Sequence, residues 1–221
     1  MKIACIGGGA AGLYFAISMK LRDPAHEIEV IERTTPDNTF GWGVVFSDAT
    51  IQNLRDNDPE SAQEILDSFA HWDDIDVHFK GQTVTSGGHG FCGIARSRML
   101  DILQRRAVAL GIPITYETEV ESLEPYLGYD LVVAADGINS RVRDTYAEKF
   151  QPSVDVRKNR FIWLGTQHKF DAFTFIFVET EFGWVWAHAY RFDDETCTFI
   201  VEMSDDTWHA SRLGTMALED G

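Results

Sequence analysis

Cysteine is scarce in this 221-residue chain: Cys5, Cys92 and Cys197 are the only three, and none forms a C-x-x-C. An odd, widely spaced set excludes a disulfide framework and fits small buried thiols in a reducing cytoplasm. The seven histidines are scattered, with no H-x-x-x-H and no Cys/His cluster, so no metal is expected. Basic residues are also short: 19 Lys and Arg stand against 35 Asp and Glu, a net charge of −16. A surface of that sign repels phosphate backbones and anionic lipid, so neither nucleic acid nor a membrane is an expected partner. Long apolar runs are missing. The longest helical apolar stretch, Ala10–Met19, is too short to span a bilayer, and Met1 leads into a short strand without a signal-peptide pattern. Repeats, low-complexity segments and a conspicuous Ser-His-Asp or Cys-His arrangement are absent too.

What is present is an ordinary globular mixture, 44% apolar and 24% charged, enough for one large domain or two interleaved lobes. K-I-A-C-I (2–6) reads as a buried parallel strand, Ala10 to Leu21 as a helix stopping before Asp23-Pro24, and E-I-E-V-I-E (27–32) as the next strand: a β-α-β unit. A loop is expected over 33–47. Two short helices follow, the second starting at Pro59 with Asp58 as its cap. Residues 77–85 read as a hairpin, and 97–110 as a helix ended by Gly111. Strands are expected over 112–120 and 129–135, and a short helix over 141–150. From Phe161 four segments dense in aromatic and β-branched residues predict a large antiparallel sheet. A helix capped by Ser204 follows over 204–213.

The first chemical signal is G-G-G-A-A-G (7–12), a G-x-G-x-x-G between a strand and a helix, with Glu32 twenty residues past Gly12 at the end of the next strand. Each part has a physical job. Gly7 permits the turn, Gly9 lets the backbone approach a pyrophosphate, and Gly12 lets the helix pack closely. Ala10 and Ala11 open the helix whose free N–H groups and dipole favour an anion. Glu32 can accept hydrogen bonds from a ribose hydroxyl pair. The pattern predicts a dinucleotide site and is satisfied by FAD and NAD alike.

The second signal is V-V-A-A-D-G-I-N-S-R-V-R (132–143). Asp136, Gly137, Ser140 and Arg143 match D-G-x-x-S-x-x-R, which resembles the second fingerprint of the FAD-dependent aromatic hydroxylases related to p-hydroxybenzoate hydroxylase. A pyrophosphate would repel the Asp136 carboxylate directly, so its expected role is to fix the turn through backbone N–H groups or to act through water. Ser140 and Asn139 can equally cap the next helix. Arg96, opening R-S-R-M-L, resembles the arginine with which the family begins a long helix near the FAD phosphates. Arg33 follows Glu32 where adenosine contacts are found. The segments G-W-G-V-V-F-S-D (41–48), H-W-D-D-I-D-V-H-F-K-G (71–81), S-G-G-H-G-F-C-G-I (86–94) and F-I-W-L-G-T (161–166) are similar to the branch acting on 2-aminobenzoyl-CoA and salicylyl-CoA.

The resemblance implies an α/β fold: a Rossmann-like FAD-binding β-α-β lobe interleaved with a large antiparallel-sheet substrate lobe. The expected division is 1–75 (FAD-binding), 76–95 (substrate-lobe hairpin), 96–155 (FAD-binding) and 156–221 (substrate-lobe sheet and helix). It implies FAD as cofactor, NAD(P)H and O2 as co-substrates, a flavin C4a-hydroperoxide as oxygen donor, and an aromatic substrate carried as its CoA thioester. Trp184, Trp186 and His188 alternate on one strand with Tyr190 and are the substrate-pocket candidates, although core packing is the commoner meaning of such alternation. His89 reads as an exposed loop residue. The family's third FAD motif, G-D followed by proline, does not follow Met203, so the chain reads as an N-terminal fragment expected to be inactive alone. Two rivals stay open. An NAD-dependent dehydrogenase explains Gly7–Glu32 but leaves the D-G turn idle. A non-catalytic module with this fold would have no need of the intact glycines and Glu32.

Overall fold

The computed structural model describes residues 1–38 and 41–215. Positions 39–40 of the expected 33–47 loop and 216–221 of the expected substrate lobe lie outside the described residues. In chain order the elements are β1 (Lys2–Ile6), α1 (Ala10–Arg22), β2 (Glu27–Ile31), β3 (Gly43–Phe46), α2 (Asp48–Asn57), α3 (Pro59–Asp67), β4 (Ala70–Trp72), β5 (Ile75–Phe79), β6 (Gln82–Ser86), β7 (Phe91–Ala95) and α4 (Arg96–Ala109). Then come β8 (Ile114–Thr115), β9 (Leu131–Ala134), α5 (Arg141–Thr145), α6 (Ala147–Phe150), β10 (Arg160–Thr166), β11 (Phe173–Thr180), β12 (Gly183–Arg191), β13 (Cys197–Met203) and α7 (Asp205–Ser211).

The chain forms two compact units and passes repeatedly between them. The first comprises Met1–Phe40, Ala49–Ser68 and Ser97–Val154; the second comprises Gly41–Asp48, Phe69–Arg96 and Asp155–Gly221. Residues 41–48 and 69–75 therefore leave the first unit, where the sequence reading has all of 1–75. The cause is local: G-V-V-F (43–46) is not loop but strand β3, antiparallel to β7, and β4 pairs with the other edge of β7.

The first unit is built on a parallel sheet of order β8-β2-β1-β9. β1 is its centre, and Ile3, Ala4, Cys5 and Ile6 are all buried. A strand covered on both faces needs a continuous apolar run rather than alternation, which is what K-I-A-C-I supplies. Ala4, Ile6 and Ile31 form a cluster with Val120, Leu123, Tyr126, Tyr129 and Val132. The expected strand over 112–120 shrinks to Ile114–Thr115, paired only with Val30 and Ile31. Pro113 offers no N–H to a ladder, and Glu117 turns the chain with φ +52°. The expected helix over 141–150 is two short ones, broken at Tyr146.

Asp58 does occupy the N-cap position of α3, but its side chain makes no cap. Its carboxylate receives Arg106 Nε and Nη2 of α4 at 3.0 and 2.9 Å instead. Asp58 is 1% exposed and the Arg106 side chain 14%. Burial alone would raise the Asp58 carboxyl; the Arg106 guanidinium, helped by the hydroxyl and N–H of Ser61, outweighs it and holds that carboxyl below the usual range.

The second unit carries a six-stranded sheet of order β10-β13-β12-β11-β5-β6. The four strands after residue 160 are antiparallel as expected. The hairpin β5–β6, turned by Lys80 and Gly81 at φ +49° and +75°, adds to that sheet through a parallel pairing of β5 with β11. The sheet is thus mixed at one joint. Ser204 Oγ accepts the Thr207 N–H at 3.2 Å and caps α7. All three cysteines are free and buried. Burial pushes the Cys5 thiol up to about 12; burial, with Asp48 second, takes Cys92 to about 11. Among the described residues no helix is long and apolar enough to cross a membrane, and no cluster of His, Cys, Asp or Glu is placed to hold a metal.

Candidate functional site

The two glycine turns, 125 positions apart in sequence, leave the sheet side by side. β1 and β9 pair in parallel with Ile6 opposite Ala134. The Gly7 N–H donates to the Ile31 carbonyl at 2.8 Å and the Ala135 N–H to the Ile6 carbonyl at 2.7 Å, so both strands run one residue further. The turns therefore sit at the carboxyl edge of a parallel sheet, where open α/β folds bind ligands.

The glycines divide into two kinds. At Gly7, φ is +108°, and an added Cβ would lie 2.3 Å from the Ala135 carbonyl oxygen. At Gly12 an added Cβ would lie 2.0 Å from the Gly7 carbonyl oxygen. These two let strand, loop and helix stack on the D-G turn. Gly9 has an ordinary φ of −73°, and a Cβ there would meet nothing within 4 Å. Gly9 is also the N-cap of α1, with no side-chain cap, so Ala10 and Ala11 begin a helix whose first N–H groups lack an intrahelical partner. Gly137, at φ +87°, is equally open.

Glu32 is held by the protein itself. Its Oε2 accepts the Gly8 N–H at 2.6 Å, and its Oε1 accepts the N–H and the hydroxyl of Thr34, both at 2.9 Å. The carboxylate thus ties the end of β2 to the glycine loop, and Oε2, with one donor, keeps a lone pair for a hydroxyl donor. Gly8, a free position in the motif, belongs to this arrangement: it is buried, and a Cβ there would lie 2.9 Å from Glu32 Cβ. The sequence reading missed it, although a third consecutive glycine was the available signal. Arg33 is exposed next to Glu32. Arg96 opens α4, lies in the second unit, and donates its backbone N–H to the Trp42 carbonyl at 2.8 Å.

At the D-G turn, Asp136 Oδ2 accepts the Val142 N–H at 3.3 Å. Asp136 Oδ1 is buried with no hydrogen-bond partner among the described residues. An orphaned buried carboxylate oxygen is costly, and a hydroxyl or water brought by a ligand would satisfy it. Ser140 Oγ accepts the Arg143 N–H at 3.0 Å and caps α5, while Arg143 Nη1 donates to the Ile138 carbonyl at 2.7 Å. Ser140 and Arg143 thereby build the turn. Open glycines, an uncapped helix start and an orphaned carboxylate oxygen on adjacent turns fit a pyrophosphate-bridged dinucleotide.

In the second unit, one face of the large sheet is aromatic. Cross-strand registers put Phe161 and Trp163 of β10, Ile200 and Glu202 of β13, Trp184, Trp186, His188 and Tyr190 of β12, Phe173, Phe175 and Phe177 of β11 and Phe79 of β5 on that side. The segment 41–43 lies on it: a Cβ at Gly165 would meet the Trp42 ring at 2.7 Å, and Tyr190 donates its hydroxyl to the Gly43 carbonyl at 2.8 Å. Of the pocket candidates, Trp184 stacks on Phe79 with centroids 5.7 Å apart and is 38% exposed. Trp186 and His188 come together through Glu202, whose Oε2 accepts the Trp186 Nε1–H at 2.6 Å and lies 3.7 Å from His188 Nδ1. Glu202 was not legible as a site residue, since it falls in a plain strand pattern. Tyr190 is core: it stacks on Trp72 at 6.0 Å and is 6% exposed. His89 sits in an exposed loop beside Ser86 Oγ, at 2.8 Å.

No family model matches the chain. By sequence it is 42% identical over 213 residues, 96% of its length, to a salicyloyl-CoA 5-hydroxylase of Streptomyces sp, and covers 41% of that protein. It is 35% identical over 227 residues to the protodeoxyviolaceinate monooxygenase of Chromobacterium violaceum, with 99% of this chain and 59% of that one covered. Its fold matches 2-methyl-3-hydroxypyridine-5-carboxylic acid oxygenase with a TM-score of 0.81 at 20% identity, over 96% of this chain and 61% of that one. It also matches PqsL of Pseudomonas aeruginosa, a probable FAD-dependent monooxygenase, with a TM-score of 0.70 at 15% identity over 96% and 62%. The fold is that of the flavoprotein monooxygenases, and in sequence the chain is similar to hydroxylases and monooxygenases. Its relatives include the salicyloyl-CoA hydroxylase, and it spans 41% to 62% of the lengths of the curated relatives it matches.

Proposed function

We propose that this chain contributes the dinucleotide-binding and aromatic-face portions of an FAD- and NAD(P)H-dependent monooxygenase that hydroxylates an aromatic ring carried as a CoA thioester. The observation that carries the reading is the placement of the G-x-G-x-x-G turn and the D-G turn on adjacent parallel strands, in a chain 42% identical to a salicyloyl-CoA 5-hydroxylase. Gly9, Ala10, Ala11 and Gly137 would offer backbone to the pyrophosphate, Glu32 would accept from the adenosine ribose, and Asp136 would take a donor on its free oxygen. Arg33 and Arg96 are proposed as further cofactor contacts. The flavin, once reduced, would supply the oxygen-transfer chemistry. The aromatic face, with Trp184, Trp186 and His188, would hold the ring and exclude water. A thioester suits such a face because it removes the carboxylate charge that an apolar surface would have to desolvate.

Two measurements test this. Glu32→Ala removes a charged acceptor worth about 1.5–3 kcal/mol, so FAD affinity is expected to fall roughly ten- to hundredfold. Titration of flavin-free full-length protein reads it, and an unchanged dissociation constant removes Glu32 from the site. For the substrate, NAD(P)H oxidation by the full-length protein is expected to rise with 2-aminobenzoyl-CoA or salicylyl-CoA, with the hydroxylated product found by mass. Equal turnover of free 2-aminobenzoate, free salicylate or an indole would remove the CoA assignment and leave the aromatic hydroxylase.

A further inference from the structure

The aromatic face carries a charge that its packing does not require. Glu202 stands opposite Trp186 on one side and Phe161 on the other, in a face made mostly of aromatic side chains. Satisfying an indole N–H needs only a neutral acceptor, so the charge of the Glu202 side chain, 34% exposed, is not required for that bond. The same oxygen that takes the Trp186 Nε1–H at 2.6 Å lies 3.7 Å from His188 Nδ1, its diagonal neighbour across the strand pair. The His188 side chain is 21% exposed and flanked by Phe173 and Phe175, each with its ring centroid 6.0 Å away.

Resting on the aromatic-hydroxylase reading, we propose that His188 is the proton acceptor for a ring hydroxyl of the substrate, and that Glu202, fixed by Trp186, is the residue that positions it. A carboxylate beside Nδ1 selects the tautomer with the proton on Nδ1 and leaves the Nε2 lone pair free. The step breaks the substrate O–H bond. The electron pair stays on the oxygen and flows into the ring as the ring carbon takes one atom of O2, the other leaving as water with the two electrons that NAD(P)H supplies, and the proton goes to Nε2. The imidazolium formed is then paired with Glu202. Its proton returns to the ring oxygen once the new ring carbon loses its own hydrogen as a proton to solvent. A phenol is a weak acid, with a pKa of about 10, but becomes a strong one as its ring gives up electrons, so a base near neutrality suffices. Burial lowers the pKa of His188, and Glu202 offsets this only in part, so the imidazole is neutral at pH 7 and able to accept. Besides Glu202 on β13, the ionisable side chains on this side of β11 to β13 are Glu179, opposite Trp184, and Tyr190. No titratable side chain of β11 adjoins His188, whose neighbours there are Phe173 and Phe175.

Glu202→Gln decides the matter, because the amide oxygen still accepts from Trp186 while the charge is gone. In full-length holoenzyme, histidine-selective nitrogen-15 NMR is expected to show His188 protonated on Nδ1 and its titration displaced to lower pH in Glu202→Gln. With salicylyl-CoA as probe, the acid limb of kcat/KM should move the same way, and His188→Gln should lower kcat by about a hundredfold while KM moves only a few-fold. Identical His188 titration in wild type and Glu202→Gln overturns the proposal without reference to turnover, as does a His188→Gln enzyme within about threefold of wild type. If the wild-type enzyme hydroxylates no aromatic ring, the functional reading fails, and the proposal with it.

Discussion

Gly7→Ala and Gly9→Ala are expected to fail in opposite ways. At Gly7 the backbone stands at φ +108°, and the new Cβ would lie 2.3 Å from the Ala135 carbonyl oxygen and 2.6 Å from its carbon. Backbone on the neighbouring strand cannot swing aside as a flexible side chain can. A strained φ alone costs about 1–3 kcal/mol, and the overlap adds to it, so a loss of at least about 3 kcal/mol in stability is expected. The same displacement separates the two turns, and flavin retention should fall with it. Gly9→Ala has neither problem: φ is −73° and no heavy atom lies within 4 Å of the added carbon. Stability should change by no more than about 1 kcal/mol, since the stiffer unfolded chain offsets the poorer N-cap that alanine makes. FAD affinity should nevertheless drop at least about tenfold, because the methyl occupies space that the backbone would otherwise yield to a phosphate. Thermal melts and FAD titrations on full-length protein check both. Wild-type affinity in Gly9→Ala would mean that the open side of the loop is not where the cofactor lies.

Arg106→Ala is expected to be the most damaging change away from the candidate site. It leaves the Asp58 carboxylate, 1% exposed, without its partner. Removing one member of a buried pair costs about 3–5 kcal/mol, a fall on the order of 10 °C in melting temperature for a chain of this size. The pH dependence fixes the cause. In the wild type, Arg106 holds the Asp58 carboxyl below its usual pKa, so the pair stabilises above the ordinary carboxylate pKa of about 3.9 and loses its effect as pH falls through the lowered value. In Arg106→Ala burial, which raises the pKa, is opposed only by the hydroxyl and N–H of Ser61, so the carboxyl of the variant takes up its proton at a higher pH than that of the wild type. The gap between the two proteins should be widest near pH 7 and close towards pH 4. A gap independent of pH would assign the loss to packing of the arginine stem.

The elements legible in the sequence are those whose physics is local. I-A-C-I (3–6) is apolar throughout because β1 is covered on both faces, and the glycine loop announces itself because backbone geometry requires those residues. The D-G turn is legible as a turn; its adjacency to the glycine loop is not, since that depends on β9 choosing β1 as its neighbour. Pairings between distant segments account for the other differences. β5 and β6 read correctly as a hairpin, yet nothing in V-H-F-K-G-Q-T-V-T indicates that β5 will run parallel to β11. Asp58 has the right residue type and position for a cap, and only the arrival of Arg106 from 48 positions away redirects its carboxylate. Gly8 and Glu202 stayed hidden for the same reason: each takes its meaning from a partner on another strand. Strand β3 was obscured by the glycines and tryptophan that precede it.

The most direct test of the central claim, that the paired turns on β1 and β9 build a flavin dinucleotide site, is the visible spectrum of purified full-length protein before and after anaerobic addition of NAD(P)H with an aryl-CoA thioester. The account predicts the bands of bound oxidised flavin, lost on reduction faster when the thioester is present, and diminished at purification in Gly9→Ala. A colourless protein that binds NAD at the Gly7–Gly12 loop, with the D-G turn indifferent to substitution, would contradict it.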